Sequence, residues 1–240
     1  MKIFTSTLLA TAFAMGNANA QVLTFDFTAK VTWMTEYDGK VATDVTSSAL
    51  SGVDIAYGDM VHGQFSFDAS TPLSPLMQWM PISPESTLIY EGPQHPVLGT
   101  ITFERPAYTF TSTNPYFSSI SVGNTEASWR GDMFAAQTAE YTQDKTQGRA
   151  MSVSLYDPSG NALSSQSIPG SLSLPAFNSA FVTYSWFRMS DGVYLNSGAM
   201  ITSLAPVVTS PVPEPSTYAM FAVGLLALGA MARRQAAARR

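Results

Sequence analysis

Residues 23–33 constrain the fold more than any other stretch, because apolar and polar side chains alternate along them without a break. Alternation with a period of two is typical of a strand that buries one face and leaves the other in water. We therefore expect a strand here whose apolar residues all belong to the core. These are Leu23, Phe25, Phe27, Ala29, Val31 and Trp33.

Further strand-like runs follow, and turn residues separate them. Strands are predicted at 60–67, 100–104, 107–111, 117–122, 127–134, 150–156, 180–189 and 193–204. A turn is predicted at 157–161, where Pro158 presets φ and Gly160 accepts a positive φ. Asp191 and Gly192 lie between two aromatic-rich runs, which predicts a tight hairpin and an antiparallel pair over roughly 180–204.

Long amphipathic helices are not evident between the two ends of the chain. The best helical candidate is 131–147, which we interpret as a short helix or a loop. Many short strands with turns rich in Gly and Pro predict an all-β fold. We expect an antiparallel two-sheet β-sandwich of the jelly-roll kind, with an N-terminal signal helix and a C-terminal transmembrane helix.

Charge and cysteine content exclude several classes of function. Residues 21–211 carry seven Lys or Arg against sixteen Asp or Glu, a net charge of about −9 that the basic ends of the chain conceal. Nucleic-acid binding needs clustered basic residues, so we predict no nucleic-acid partner. The chain has no cysteine, which excludes disulfides, a cysteine nucleophile and thiolate metal sites.

The N-terminus predicts a signal peptide over residues 1–20. Lys2 precedes an apolar stretch at 3–15, which is too short to span a bilayer. Ala18 and Ala20 then satisfy the small-residue rule for cleavage before Gln21. We therefore expect the exported domain to occupy residues 21–205.

The C-terminus has three parts, of which the first is a Pro-rich linker at 206–217. It contains Pro213, Glu214 and Pro215, and its prolines prevent a helix or a central strand. An apolar run follows, and then Arg233 and Arg234, so 218–240 is predicted as a transmembrane helix with a basic cytoplasmic tail. Residues 216–232 would make a helix of about 25 Å, near the lower limit for a span. This segment is either a permanent anchor or a stop-transfer segment that a membrane protease removes.

This tripartite tail resembles the PEP-CTERM sorting signal of Gram-negative bacteria. The resemblance implies recognition by an exosortase, a membrane-embedded protease, with cleavage near Pro213, Glu214 and Pro215. It also implies an inner-membrane intermediate, followed by transfer to the cell surface or the extracellular matrix. Residues 63–72 and 198–204 resemble strands that are common in such exported domains.

Motifs for catalysis are missing from the sequence. There is no Gly-x-Ser-x-Gly elbow, phosphate-binding glycine loop or His-Glu-x-x-His. His62 and His95 are the only histidines, and Asp59 would join His62 at a metal only from a turn. A glycosidase needs two facing carboxylates, and no spacing selects a pair among Glu85, Glu91, Glu104, Glu126 and Glu140. We predict no enzyme and no cofactor.

Two turns offer oxygen atoms in an arrangement that suits calcium. Both are also ordinary turn sequences, so calcium is an alternative to a purely structural role. The candidate ligands are Asp68, Ser70 and Thr71 in one turn, and Asp157, Ser159 and Asn161 in the other.

Residues 71–96 stand apart because this connection is long and holds six of the 15 prolines. It is either a binding loop with an apolar tip or an irregular flap that Trp79 and nearby methionines pin to the sheet. Exposed tryptophans can stack on sugar rings, so Trp79 and Trp129 are the candidate glycan contacts, whereas Trp186 is expected in the core.

We therefore predict an exported surface or matrix protein without a catalytic site. The resemblance implies that an exosortase-type protease processes it and that it is associated with exopolysaccharide or biofilm material. A carbohydrate-binding module is the second interpretation. A secreted glycan hydrolase is the third.

Overall fold

The computed structural model describes residues 22–79, 87–105, 107–124 and 131–207. The predicted signal peptide with Ala18, Ala20 and Gln21, and the predicted transmembrane helix, therefore lie outside the described residues. Within the described part, no helix is long and apolar enough to cross a membrane. Its strands are β1 (Val22–Tyr37), β2 (Ala42–Asp44), β3 (Ser47–Ser48), β4 (Ile55–Ala56), β5 (Met60–Asp68), β6 (Thr87–Tyr90), β7 (Leu98–Phe103), β8 (Tyr108–Ser112), β9 (Phe117–Gly123), β10 (Asp132–Tyr141), β11 (Gln147–Asp157), β12 (Ser179–Arg188) and β13 (Tyr194–Pro206), with short 3-10 helices at Pro75–Trp79 and Leu174–Ala176.

Eleven of the described strands are hydrogen-bonded into one antiparallel sheet. The order is β6-β9-β10-β11-β12-β13-β1-β5-β7-β8, and β2 adds to the end of β1. The short β3 and β4 form a separate pair. The prediction of an all-β antiparallel fold is confirmed. The prediction of two separate sheets, as in a jelly roll, is wrong. Strand β1 pairs with β13 on one side and with β5 on the other, and so joins the two halves into one sheet.

The sheet curls so that its two halves pack against each other around one core. Phe67 of β5 meets Phe134 of β10 with ring centroids 5.2 Å apart. Phe103 of β7 lies edge-on to Tyr184 of β12 at 5.6 Å. The Tyr184 hydroxyl hydrogen-bonds the Tyr108 hydroxyl of β8 at 2.9 Å. Interlocking aromatic side chains therefore provide the large buried area that a chain without disulfides needs.

The alternation predicted for β1 is correct up to Val31 and then changes phase. The register with β13 shifts between Val31 and Trp33, so Thr32 is an extra residue, as in a β-bulge. Beyond the bulge Met34 is buried, whereas Trp33 is 41% exposed. The expectation that Trp33 belongs to the core is therefore wrong. Trp186 is buried as predicted, and its indole N–H donates to Gln147 Oε1 at 3.0 Å.

Strand β10 corrects the interpretation of 131–147 as a short helix or loop. Residues 132–141 form a strand between β9 and β11. Ala135, Ala136, Thr138 and Ala139 are all buried, so small residues occupy both faces and hide the period of two. The predicted antiparallel pair at 180–204 is confirmed as β12 and β13.

Candidate functional site

The long connection after β5 is fastened at its base by Asp68 and His95. His95 Nδ1 lies 2.7 Å from Asp68 Oδ2. Asp68 Oδ1 also accepts hydrogen bonds from the backbone N–H of Ser70 at 2.8 Å and from its hydroxyl at 2.7 Å. Burial pushes the pKa of Asp68 upward, but the hydrogen bonds from Ser70 and the contact with His95 outweigh it and lower the pKa below its ordinary value. His95 therefore has a structural partner.

The next part of the connection is joined to its own return path. The N–H of Ser74 donates to the carbonyl of Ile89 at 2.8 Å, and the N–H of Glu91 donates to that of Pro72 at 3.0 Å. The hydroxyl of Ser74, which is fully buried, donates to Glu91 Oε1. These bonds fasten the outgoing and returning segments of the described part of the loop to each other.

The tip of the described loop presents apolar side chains to solvent. On the 3-10 helix Pro75–Trp79, Met77 is buried, but Leu76 is 68% exposed and Trp79 is 87% exposed. Met77 therefore pins this loop, and Trp79 does not. Trp79 is accessible, as a glycan contact requires. Trp129, the other candidate contact, lies outside the described residues, as do Glu85 and Glu126.

A cleft of about 550 Å³ separates this loop from the connection between β8 and β9. Glu140 anchors the second wall, because its carboxylate accepts hydrogen bonds from the backbone N–H groups of Thr113 and Asn114. This wall is not evident from the sequence, although the two adjacent aromatic residues after Pro115 are a usable signal. The lining residues are Pro75, Glu91, Gly92, Pro93, Pro96 and residues 113–118.

Tyr116 marks the rim of the cleft. Its ring stacks on that of Tyr141 with centroids 3.8 Å apart and an interplanar angle of 14°. Tyr141 in turn meets the ring of Phe187 edge-on at 6.2 Å. Burial, together with the hydrogen bond and charge of Tyr141, raises the pKa of Tyr116 to about 12. The cleft is thus lined mainly by prolines, small polar groups and aromatic rings, with the carboxyl group of Glu91 as its one acidic side chain.

The two candidate calcium turns use their oxygen atoms within the protein. Asp157 accepts hydrogen bonds from the Ser159 hydroxyl at 2.8 and 2.7 Å and from the Asn161 N–H at 2.9 Å. These bonds lower the pKa of Asp157. In the other turn the Thr71 hydroxyl donates to the carbonyl of Asp68 at 2.6 Å. Over the described ranges, no three His, Asp or Glu side chains cluster as a metal site would require.

The other titratable candidates lie apart from one another. Asp59 is buried, and Asp59 Oδ2 accepts the N–H of Ala56 at 2.8 Å. His62 is on the surface with its Nδ1 atom 3.8 Å from Glu104 Oε1. Asp59 follows a turn and precedes β5, whereas His62 lies on β5, and the two side chains have different partners.

Comparison with known proteins identifies a sorting motif in the C-terminal tail. The model of the PEP-CTERM protein-sorting motif matches residues 211–235, which include Pro213, Glu214, Pro215, Arg233 and Arg234. All of these lie outside the described residues. No curated protein and no solved structure matches the chain. The motif implies export, processing by exosortase, which is a membrane enzyme, and sorting to the cell surface. The resemblance seen in the sequence is therefore confirmed: this chain carries the sorting motif of PEP-CTERM proteins.

Proposed function

We propose that this chain is a non-enzymatic protein of the cell surface or extracellular matrix, released from a membrane intermediate by an exosortase-type protease. The observation that carries the proposal is the sorting motif at residues 211–235. The proposal includes a signal peptide at 1–20 and a transmembrane helix at 218–240. The composition of each segment supports this, since the first has a short apolar stretch and a small-residue cleavage site and the second has an apolar run followed by arginines.

A structural role for the folded domain is supported by the partners of its titratable groups. His95 is hydrogen-bonded to Asp68, and Glu91 accepts a hydrogen bond from Ser74. Glu140 accepts hydrogen bonds from the backbone N–H groups of Thr113 and Asn114. A general acid or base must instead be within reach of a substrate proton. Calcium, by contrast, would have to displace the hydrogen bonds within either candidate turn.

Intact-mass analysis of the protein from its native host tests the proposal. Membrane, released and matrix fractions are measured separately. We expect a released form that begins at Gln21 and ends near Pro213, Glu214 and Pro215. A mass that extends to Arg240, found only in the inner membrane, would contradict release and indicate a permanent anchor.

A pair of variants isolates the motif itself. Glu214→Ala should block removal of the tail, so that the longer form accumulates in the membrane fraction. Thr209→Ala is the matched control, because it lies in the same linker but outside the matched residues 211–235. Equal processing of both variants would show that the motif is not what the protease reads.

Carbohydrate binding is a second candidate function, and the exposed side chain of Trp79 favours it; Trp79 ends the 3-10 helix whose first residue, Pro75, lines the cleft. Trp79→Ala should abolish glycan-array binding if the loop is the contact. Leu76→Ala is the control, because it removes a neighbouring exposed side chain that has no ring. Array signals that survive Trp79→Ala would exclude this loop as the binding site.

A further inference from the structure

The outer face of the sheet carries a row of aromatic residues across β1, β13, β12, β11 and β10. Residues that pair directly in antiparallel strands share one face, and the intervening Leu195 and Trp186 are buried in the core. This row is therefore on the solvent side. It consists of Tyr37, Tyr194, Phe187, Gly148 and Tyr141.

Two further rows run parallel to the aromatic row, two and four residues along the strands. The middle row contains Thr35, Asn196, Ser185, Ala150, Ala139 and Phe117. The third row contains Trp33, Gly198, Thr183, Ser152, Gln137 and Ser119. We call these three rows together the outer face.

From β1 to β9 the three rows contain no charged residue, although residues 21–211 have a net charge of about −9. The first charged side chain in line with them is Asp44 of β2, at the edge of the sheet, which pairs with Thr35 and accepts a hydrogen bond from its hydroxyl at 3.0 Å. The polar groups of the outer face are hydroxyls and amides, which hydrogen-bond without carrying charge. A ligand that matches this surface is itself polar and uncharged, since a charged partner would find no countercharge here. An anionic polymer would in addition be repelled by the negative domain.

Two aromatic rings of the outer face lie across glycines. A Cβ atom placed on Gly148 would come within 1.9 Å of the Phe187 ring, and one on Gly198 within 2.0 Å of the Trp33 indole. Each ring therefore occupies the space above a strand where a side chain would otherwise stand. This position holds both rings close to the sheet, as a stacking surface requires.

Polar groups fill the space between these two rings. Gly148 and Gly198 are two strands and four residues apart, or roughly 16 Å by the usual strand spacing and rise. Ser185 and Asn196 lie between them, and the Ser185 hydroxyl donates to Asn196 Oδ1 at 2.6 Å. That bond orients the Asn196 amide, whose N–H donors have no acceptor within the described part of the chain.

We propose that the outer face binds a neutral polysaccharide, which lies diagonally across β11, β12 and β13. Sugar rings carry apolar C–H faces and hydroxyl rims. In the bound state one sugar stacks on Phe187, another stacks on Trp33, and the hydroxyls between them bond Ser185 and Asn196. Such a site combines aromatic area with a few placed polar groups, as carbohydrate recognition needs. This inference deepens the carbohydrate-binding candidate but moves its contacts from the loop of Trp79 to the sheet.

Co-sedimentation of the purified full chain with insoluble polysaccharides tests the inference. The probes are cellulose, chitin and mannan, which are neutral, and calcium alginate, which is anionic. We expect binding to at least one neutral probe and none to alginate. Trp33→Leu and Phe187→Leu should each weaken binding at least tenfold, while Trp33→Tyr retains most of it. Trp79→Ala is measured beside them, to separate this face from the loop of Trp79.

Each variant is first checked for an unchanged unfolding midpoint, so that loss of binding reports the contact. Wild-type affinity in both leucine variants, no binding to any neutral probe, or binding to alginate alone would overturn the proposal. Loss of binding in Trp79→Ala only would also overturn it and assign the site to the loop of Trp79. A dimer that Trp33→Leu and Phe187→Leu dissociate, without glycan binding, would make the face an interface between two copies. The mass measurement tests sorting separately, so the two proposals can fail independently.

Discussion

His95 Nδ1 lies 2.7 Å from Asp68 Oδ2, and this contact joins the end of the long loop to the end of β5. Asp68 is 6% exposed, so its carboxylate depends on protein partners rather than on water. Because the pKa of Asp68 is lowered in the folded protein, folding stabilises the ionised carboxylate relative to the unfolded chain.

Asp68→Asn should therefore change how stability depends on acid. A carboxyl with a lowered folded pKa stabilises the protein above its ordinary pKa of 3.8, and this contribution is lost as pH falls through the folded value. We expect the free energy of unfolding at pH 7 to fall by about 1–3 kcal/mol, because the hydrogen bonds of the carboxylate are broken. We also expect it to decrease less steeply than in the wild type as the pH is lowered. Urea unfolding at a series of pH values measures both, with the exposed Asp54→Asn as control. If the free energy of unfolding of Asp68→Asn fell as steeply in acid as that of the wild type, ionised Asp68 would not be the source of this stabilisation.

Gly63→Ala should destabilise the fold strongly. A Cβ atom here would lie 2.0 Å from the carbonyl oxygen of Thr100 and 2.6 Å from the Phe27 ring, and backbone cannot move aside as a flexible side chain can. We expect a cost of about 1–3 kcal/mol or more, seen as a lower urea midpoint. Gly170→Ala is the control, because nothing lies within 4 Å of its added atom. Equal midpoints for the two variants would mean that β5 and β7 can separate without cost.

Tyr116 should remain a neutral phenol well beyond the ordinary tyrosine range. Its pKa is raised to about 12 by burial and by Tyr141. Burial also raises the pKa of Tyr90 and of Tyr184, so the Tyr116 transition is taken from the difference between the ultraviolet pH titrations of the wild type and Tyr116→Phe. Tyr141→Ala should move that transition toward 10.0, since it exposes the ring and removes the partner. A transition that stays in place in Tyr141→Ala would show that the stacked pair is not its cause.

Removal of β13 should abolish cooperative folding. A chain that ends at Arg188 leaves β1 and β12 each without a neighbour on one side, which exposes two unpaired edges. We expect a non-cooperative urea curve and aggregation. A chain that ends at Val207 keeps every described strand and is the control. Cooperative unfolding of the shorter chain would refute this view of β13.

Most strands were predictable because their alternation is local. The alternation in β1 and the turn residues at 157–161 and 191–192 depend only on neighbours in sequence. The bulge at Thr32 is different, because it depends on the register with β13, which lies far away along the chain. Strand β10 is hard to predict for a different reason, since buried alanines lie on both of its faces and leave no alternation between apolar and polar residues.

The site was less predictable than the strands. The sorting motif is a linear signal, so Pro213, Glu214 and Pro215 could be read directly. The cleft needs residues 113–118 to meet the loop after β5, and only the curl of the sheet brings them together. The outer face likewise arises from register, because Trp33 covers Gly198 only when β1 and β13 are paired with the bulge in place.

The position of β1 in the sheet also sets when the domain can be completed. This strand is synthesised first, yet its partner β13 is synthesised last, immediately before the linker that carries the sorting motif. Pairing over such a separation is slow and waits for the whole sequence. The sheet therefore cannot be completed until every residue before the sorting motif has been synthesised.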